Sequence, residues 1–296
     1  MSSVSLVKKQ KNESVNEVIE KSLELIEFHY DKNVRDVVIK PNMCYYWDYT
    51  TGHTTDPSVV EELIKLLRVK YSPDINISVV ESDASAMRCK YAFKILGYEK
   101  MCTRNKVNLV NLSEVENEKQ KVIVNNESYE FDVPIILKKS DLFINVPKIK
   151  YMGSIKLTCS LKNVFGCNPY YKKHIYHKKL RDTIVALNKL IKTDLCIVDG
   201  LIAFGERVKK IDLVMCSIDP VALDTVAAKI IGVNPSDVDY IKLAEDENLG
   251  KMNYVIKGDS IDYFKNVYPG KTLESNVMGF GFKMIKLVGL NKRMGL

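Results

Sequence analysis

Six short apolar runs, at 37–39, 75–80, 107–110, 142–146, 195–200 and 213–217, limit what this chain can fold into. Runs of that length suit buried strands, and most are separated by segments with helical spacing. Residues 15–30 carry apolar side chains at 15, 18, 19, 23 and 26. A second helix, opened by Thr55-Asp56-Pro57, turns Val59, Leu63, Leu66 and Leu67 inward. Residues 86–96 fit a helix stopped by Gly97, and further helices fit 180–191, 218–231 and 236–247. Strands alternating with helices predict βαβ units: an α/β fold, Rossmann-like, with a mostly parallel sheet flanked by helices. Residues 114–130 read as a hairpin excursion and 1–14 as a loose polar start, leaving 15–296 as the α/β domain. A division into two lobes around a polar cleft would fall near residue 150.

The stretch from Asp141 to Arg181 concentrates the chemistry. The run 142–146 ends at Pro147, which has no N–H to donate to a ladder. Lys148 and Lys150 follow where a parallel strand ends, the edge at which open α/β sheets bind ligands. Lys162-Asn163 sits between Leu161 and Val164-Phe165, and a basic, tyrosine-rich segment with His174 and His177 comes next. Elsewhere the strands also end in polar residues: Lys40-Pro41-Asn42, Glu81-Ser82, Asp199-Gly200 and Asp219-Pro220. In a parallel sheet these ends meet along one rim.

Lys162, His174, Asp199 and Asp219 are therefore the candidate catalytic residues. Lys40, Asn42, Thr54, Thr55, Lys148, Lys150 and Asn163 are candidates to hold a substrate or cofactor of unknown identity. Asp199 and Asp219 equally suit caps or turns. Lys162 between apolar neighbours would need an anion or would lose its proton, and its expected partners are Glu81, Asp199 or Asp219. His53, beside Thr54-Thr55, suits a phosphate donor, an acid/base group or a plain loop residue. His174 and His177 could share a helical face, but a metal needs three or four ligands, and no metal is assigned.

Several classes lack their signatures. Gly279-Phe280-Gly281 lacks the third glycine of GxGxxG, and no Walker motif or HExxH occurs. Seven scattered cysteines, with no CxxC, point to a reducing, cytoplasmic setting. No run approaches the ~20 apolar residues of a membrane span. The apolar, basic tail 279–296 reads as a closing strand or docking segment. A net charge of +7 favours anionic partners. A small anionic molecule fits better than nucleic acid, because basic density is confined to 171–181.

Taken in order, Lys40-Pro41-Asn42, Thr54-Thr55-Asp56-Pro57, Glu81-Ser82, 144–150 (INVPKIK), 160–166 (SLKNVFG), His174, 198–200 (VDG), 217–227 (SIDPVALDTVA) and Asn248-Leu249-Gly250 resemble the DUF362 family over roughly residues 35–250. The resemblance implies an α/β protein of an uncharacterised family, some of whose members carry a ferredoxin-like iron–sulfur module. No cysteine follows Cys216, so that module has no counterpart here. Where the family often has PKxKTH, this chain has Tyr151-Met152, and the glycine-rich run after VDG is reduced to Phe204-Gly205-Glu206-Arg207. The chain is also similar, more distantly, to the N-terminal domain of the nickel-pincer lactate racemase family. The leading expectation is an enzyme acting on a small anion, reaction type open. The alternatives are a metal or electron-transfer accessory protein, a nucleic-acid-binding protein and a lactate-racemase-like enzyme.

Overall fold

The computed structural model describes residues 1–31, 33–153 and 155–270; the expected tail at 279–296 lies outside them. The chain runs β1 (Ser2–Lys8), α1 (Val15–Leu25), β2 (Asp36–Pro41), α2 (Pro57–Lys70), β3 (Asn76–Glu81), α3 (Cys89–Ile95), α4 (Tyr98–Asn105), β4 (Asn108–Asn111). It continues through β5 (Asn117–Val124), β6 (Glu127–Pro134), α5 (Ile135–Lys139), β7 (Leu142–Val146), β8 (Lys148–Met152), β9 (Lys156–Thr158) and α6 (Ser160–Val164). Last come α7 (Leu180–Leu190), β10 (Leu195–Phe204), β11 (Val208–Ser217), α8 (Pro220–Ile230), α9 (Asp239–Asp246), β12 (Tyr254–Gly258) and α10 (Ile261–Val267).

Alternation along the buried strands sends neighbouring side chains to opposite faces, and each face is covered by helices. Val37, Ile39, Val79, Ile144 and Ile197 pack with α1 and α2 residues such as Ile19 and Leu63. Val38, Val80, Phe143 and Val198 pack on the other side with Leu161, Ile184, Leu187 and Val226. The main sheet is ordered β12-β1-β11-β10-β7-β2-β3-β4, with β8 attached to β10 and β9 to β8. From β10 through β4 the pairings are parallel, whereas β11 runs antiparallel to both β10 and β1. The expected mostly parallel α/β sheet is thus present, and β5 and β6 form the expected hairpin, at 117–134.

From β2 the chain winds outward through β3 and β4, then returns to place β7 on the other side of β2. The order reverses there, and at such a switch point the ends of neighbouring strands leave a crevice for a ligand. Pro147 sharpens the break. β7 pairs with β2 as far as Pro41↔Val146, but β8 pairs with β10 and β9 instead.

Two expectations need correcting. Residues 1–14 are not a loose start, because 2–8 form a strand between β11 and β12. Its serines disguise it: Ser5 is buried, and its hydroxyl both donates to the Cys216 carbonyl and accepts from the Cys216 N–H. Nor does Asp219 join the rim of β2, β3 and β7. Since β11 is antiparallel to β10, its C-terminal Ser217 lies opposite Cys196 near the start of β10. Asp219 caps α8, accepting from the N–H groups of Val221 and Ala222, and also binds Ser2 and the Lys251 N–H.

Candidate functional site

Two lysines on the rim are closed by carboxylates. Lys40, at the end of β2, is fully buried and reaches Glu81 Oε2 at the end of β3 across 2.8 Å. It also donates to the Pro41 carbonyl at 2.7 Å. Glu81 accepts in addition from the N–H groups of Met43 and Ser82. Lys148 and Asp199 are direct cross-strand partners on β8 and β10, and their side chains meet at 3.1 Å. The same Asp199 carboxylate takes the Asp56 and Leu201 N–H groups, which fixes the start of α2 against β10.

Three other lysines lack such a partner. Lys150 is 3% exposed and donates to Asn42 Oδ1 at 2.6 Å and the His53 carbonyl at 2.9 Å. Burial, then the charges of Lys148 and Lys40, push its pKa down to about 8. Lys173 is buried and donates to the Ser82 hydroxyl and, at 3.5 Å, to the Gly166 carbonyl. Burial lowers its pKa to about 8, against the opposing pull of Glu81. Lys162 is half-buried, with Nζ 4.0 Å from the centre of the Phe165 ring. Burial and the charges of Lys150, Lys173 and Lys40 bring it down to about 7, while Cys44 pulls the other way.

The expectation that Lys162 would meet Glu81, Asp199 or Asp219 is therefore wrong. Among the described residues Lys162 makes no ion pair, because Lys40 and Lys148 already occupy the first two acids and Asp219 is remote. The sheet end does gather Lys40, Asn42, Lys148, Lys150, Lys162 and Asp199 as expected. His174 sits at its margin, exposed, with Nδ1 3.1 Å from the Ser85 hydroxyl.

The remaining candidates tie neighbouring segments of backbone together. Thr55 donates to the Val146 carbonyl and accepts from the Asn42 N–H, stitching the 42–55 loop to β7. Thr54 donates to the Trp47 carbonyl and accepts from the Cys44 N–H within that loop. Asn163 donates to the Lys40 carbonyl and to Asn145 Oδ1, pinning α6 across β2 and β7; its own Oδ1 is buried without a partner. Asp224 on α8 receives the Ser160 and Leu161 N–H groups at the start of α6. Burial raises its carboxyl to about 7.

Lys173 and Cys44 went unread in the sequence. Lys173 lay within the basic run 171–181, with nothing to single it out. Cys44 is the one cysteine that is not buried, and it acts electrostatically on both Lys150 and Lys162. Gly166 has a distinct function here: a Cβ at that position would lie 2.9 Å from Lys40 Nζ and 3.2 Å from Glu81 Oε1. A cavity of about 250 Å³ opens on the Lys148–Asp199 pair, between Tyr49, Asp56, Leu201 and Lys210. A larger one, about 360 Å³, lies beside Lys229 and Asp262, at α8 and α10; its lining holds no buried lysine or acid. Among the described residues no three His, Cys, Asp or Glu side chains converge as metal ligands would.

Fold and site define an α/β protein with a lysine-rich cluster at the switch point of its sheet. Residues 37–229 match the family described as Domain of unknown function (DUF362), and the chain belongs to that family. A thylakoid-associated protein of Synechocystis is 30% identical over 125 residues, which cover 38% of each chain. The lactate racemase apoprotein of Thermoanaerobacterium thermosaccharolyticum superposes with a TM-score of 0.50 at 11% identity. That match covers 78% of this chain and 57% of the racemase, and the likeness is one of fold alone. Among the described residues no helix is long and apolar enough to cross a membrane.

Proposed function

We propose that this protein binds and acts on a small molecule carrying at least two negative charges, held by Lys150, Lys162 and Lys173. The observation that carries this reading is their lack of any ion pair among the described residues, although each is buried or half-buried beside the closed Lys40–Glu81 pair. Buried ammonium groups without counterions are costly, and a bound dianion would remove that cost in all three at once. The switch-point location supports the same reading. The seven thiols, none in a disulfide, support a cytoplasmic setting.

Thermal unfolding with a panel of dicarboxylates and phosphorylated metabolites tests the proposal. A ligand at 100 times its Kd should stabilise the fold by roughly 2.7 kcal/mol. That shift should shrink in Lys150→Met and Lys162→Ala. No response across the panel, or an equal response in both variants, would sink the reading. The accessory-protein alternative separates cleanly, because it requires stoichiometric metal in anaerobically purified protein that is lost on His174→Ala.

A further inference from the structure

We propose that Lys162 is the reacting group of this cluster, an amine nucleophile that takes the carbonyl of a small oxo acid as an imine. This rests on the anion-binding reading above and adds the substrate class and the chemistry.

The three unpaired lysines are not equivalent. Lys150 is fixed by Asn42 Oδ1 and the His53 carbonyl, and Lys173 by the Ser82 hydroxyl and the Gly166 carbonyl. Their protons are engaged by oriented acceptors, which suits them to holding a carboxylate in place. Lys162 has no hydrogen-bond acceptor among the described residues, and only the Phe165 ring lies under its nitrogen. Its base is nevertheless well anchored, since Asn163 ties α6 to β2 and β7 while Asp224 receives its first N–H groups. A rigid base, an unengaged nitrogen and partial exposure are what an attacking amine needs. Crowding by like charges and burial favour the neutral amine, as in lysine nucleophiles that act beside a second cation.

The step balances without a co-reactant. The ammonium of Lys162 first gives up one proton, and the nitrogen lone pair adds to the carbonyl carbon as the C=O π pair moves to oxygen. One proton moves from nitrogen to that oxygen to give the carbinolamine, whose hydroxyl takes up the proton released at the start and leaves as water. One ammonium and one carbonyl become one protonated imine and one water. His177, whose ring is held below its ordinary value by burial and by the charge of Lys162, is the imidazole that can carry the proton.

The test is borohydride trapping on the full chain with 2-oxoglutarate, and in a parallel arm with oxaloacetate, read by intact mass and peptide mapping. The expected result is one reduced adduct per chain on Lys162, competed away by malonate, which has the charges but no ketone. Lys162→Arg should lose the adduct; if that variant does not fold, Lys162→Met serves with the same expected loss. Adducts spread over exposed lysines, an adduct that survives the substitution, or no adduct with either acid would overturn the inference. If wild-type protein responds to malonate in those cases, the anion-binding reading stands alone; if it does not respond, that reading fails as well.

Discussion

Lys40 and Lys148 differ from Lys150, Lys162 and Lys173 in one respect that decides what each set does. The first two each meet a buried carboxylate, which is itself held by backbone N–H groups. The other three meet neutral oxygens or an aromatic ring. A charge pair satisfied on all sides joins neighbouring strands and asks nothing further of solvent or ligand. An ammonium surrounded only by dipoles and other cations sits closer to losing its proton, and gains most from an incoming anion. Residues so close in the chain as Lys148 and Lys150 thus divide into scaffold and site.

The largest effect is expected where the scaffold set is broken. Glu81→Gln leaves Lys40 buried without its counterion, and Asp199→Asn does the same to Lys148. Each should cost about 3–5 kcal/mol in urea unfolding. A loss below about 1 kcal/mol in both would mean that the pairs are not the fixed element, and the comparison would collapse. Gly166→Ala should come next. Its new Cβ would press on Lys40 Nζ and Glu81 Oε1, and the expected cost of overpacking is about 1–3 kcal/mol. A neutral result would show that the pair can shift aside.

The sheet was legible because apolar runs of strand length are bounded by proline, glycine and polar ends, and the parallel core from β2 to β10 follows from them. Lys40, Lys148, Lys150 and Asp199 were legible for the same reason, as residues just beyond or within those runs. Strand direction was not legible. Asp219-Pro220 has the same local form as a rim residue, yet β11 runs the other way and carries it to the opposite end. β1 was hidden because Ser3 and Ser5 interrupt its apolar residues, and only the β11 backbone reveals Ser5 as a satisfied core residue. The partner of Lys162 was misread because proximity in the fold does not say which of several lysines claims an acid. Thr54, Thr55 and Asn163 have side chains suited to ligands, and the backbone of the 42–55 loop and of β2 claims them first.

Asp219→Ala sharpens the distinction between the two ends of the sheet. Loss of an N-cap that also binds Ser2 and Lys251 should cost about 1 kcal/mol. The thermal response to malonate should be unchanged. A reduced response would place Asp219 in functional contact with the lysines and undo the argument from strand direction.

The smallest expected change in stability, and the most telling, belongs to Lys150→Met. Removing an ammonium whose counterion is absent should alter the stability of the ligand-free protein at about pH 7 by less than about 1 kcal/mol, while the response to malonate falls. The pH dependence gives the sign. Lys162 at about 7, and Lys150 and Lys173 at about 8, lie below the ordinary lysine value of 10.5. As pH rises from about 7 to 8.5 these groups lose protons in the folded state, while the unfolded chain keeps them. The unfolded state then binds more protons, so stability of the free protein rises with pH across that window. Below it, Asp224 acts in the opposite sense: raised to about 7, it keeps its proton in the folded state after the unfolded chain has lost it. Toward the upper end of that window the thiols of the unfolded chain, half ionised at about 8.5, oppose the rise, because those buried in the fold keep their protons. Affinity for malonate should fall over the same interval, because the ammonium groups that bind it are disappearing. Urea midpoints and malonate shifts at pH 7, 8 and 8.5 measure both trends, and Lys150→Met should flatten the first. Stability that falls with pH in wild type, or a slope identical in Lys150→Met, would show that Lys150 is not an unpaired cation.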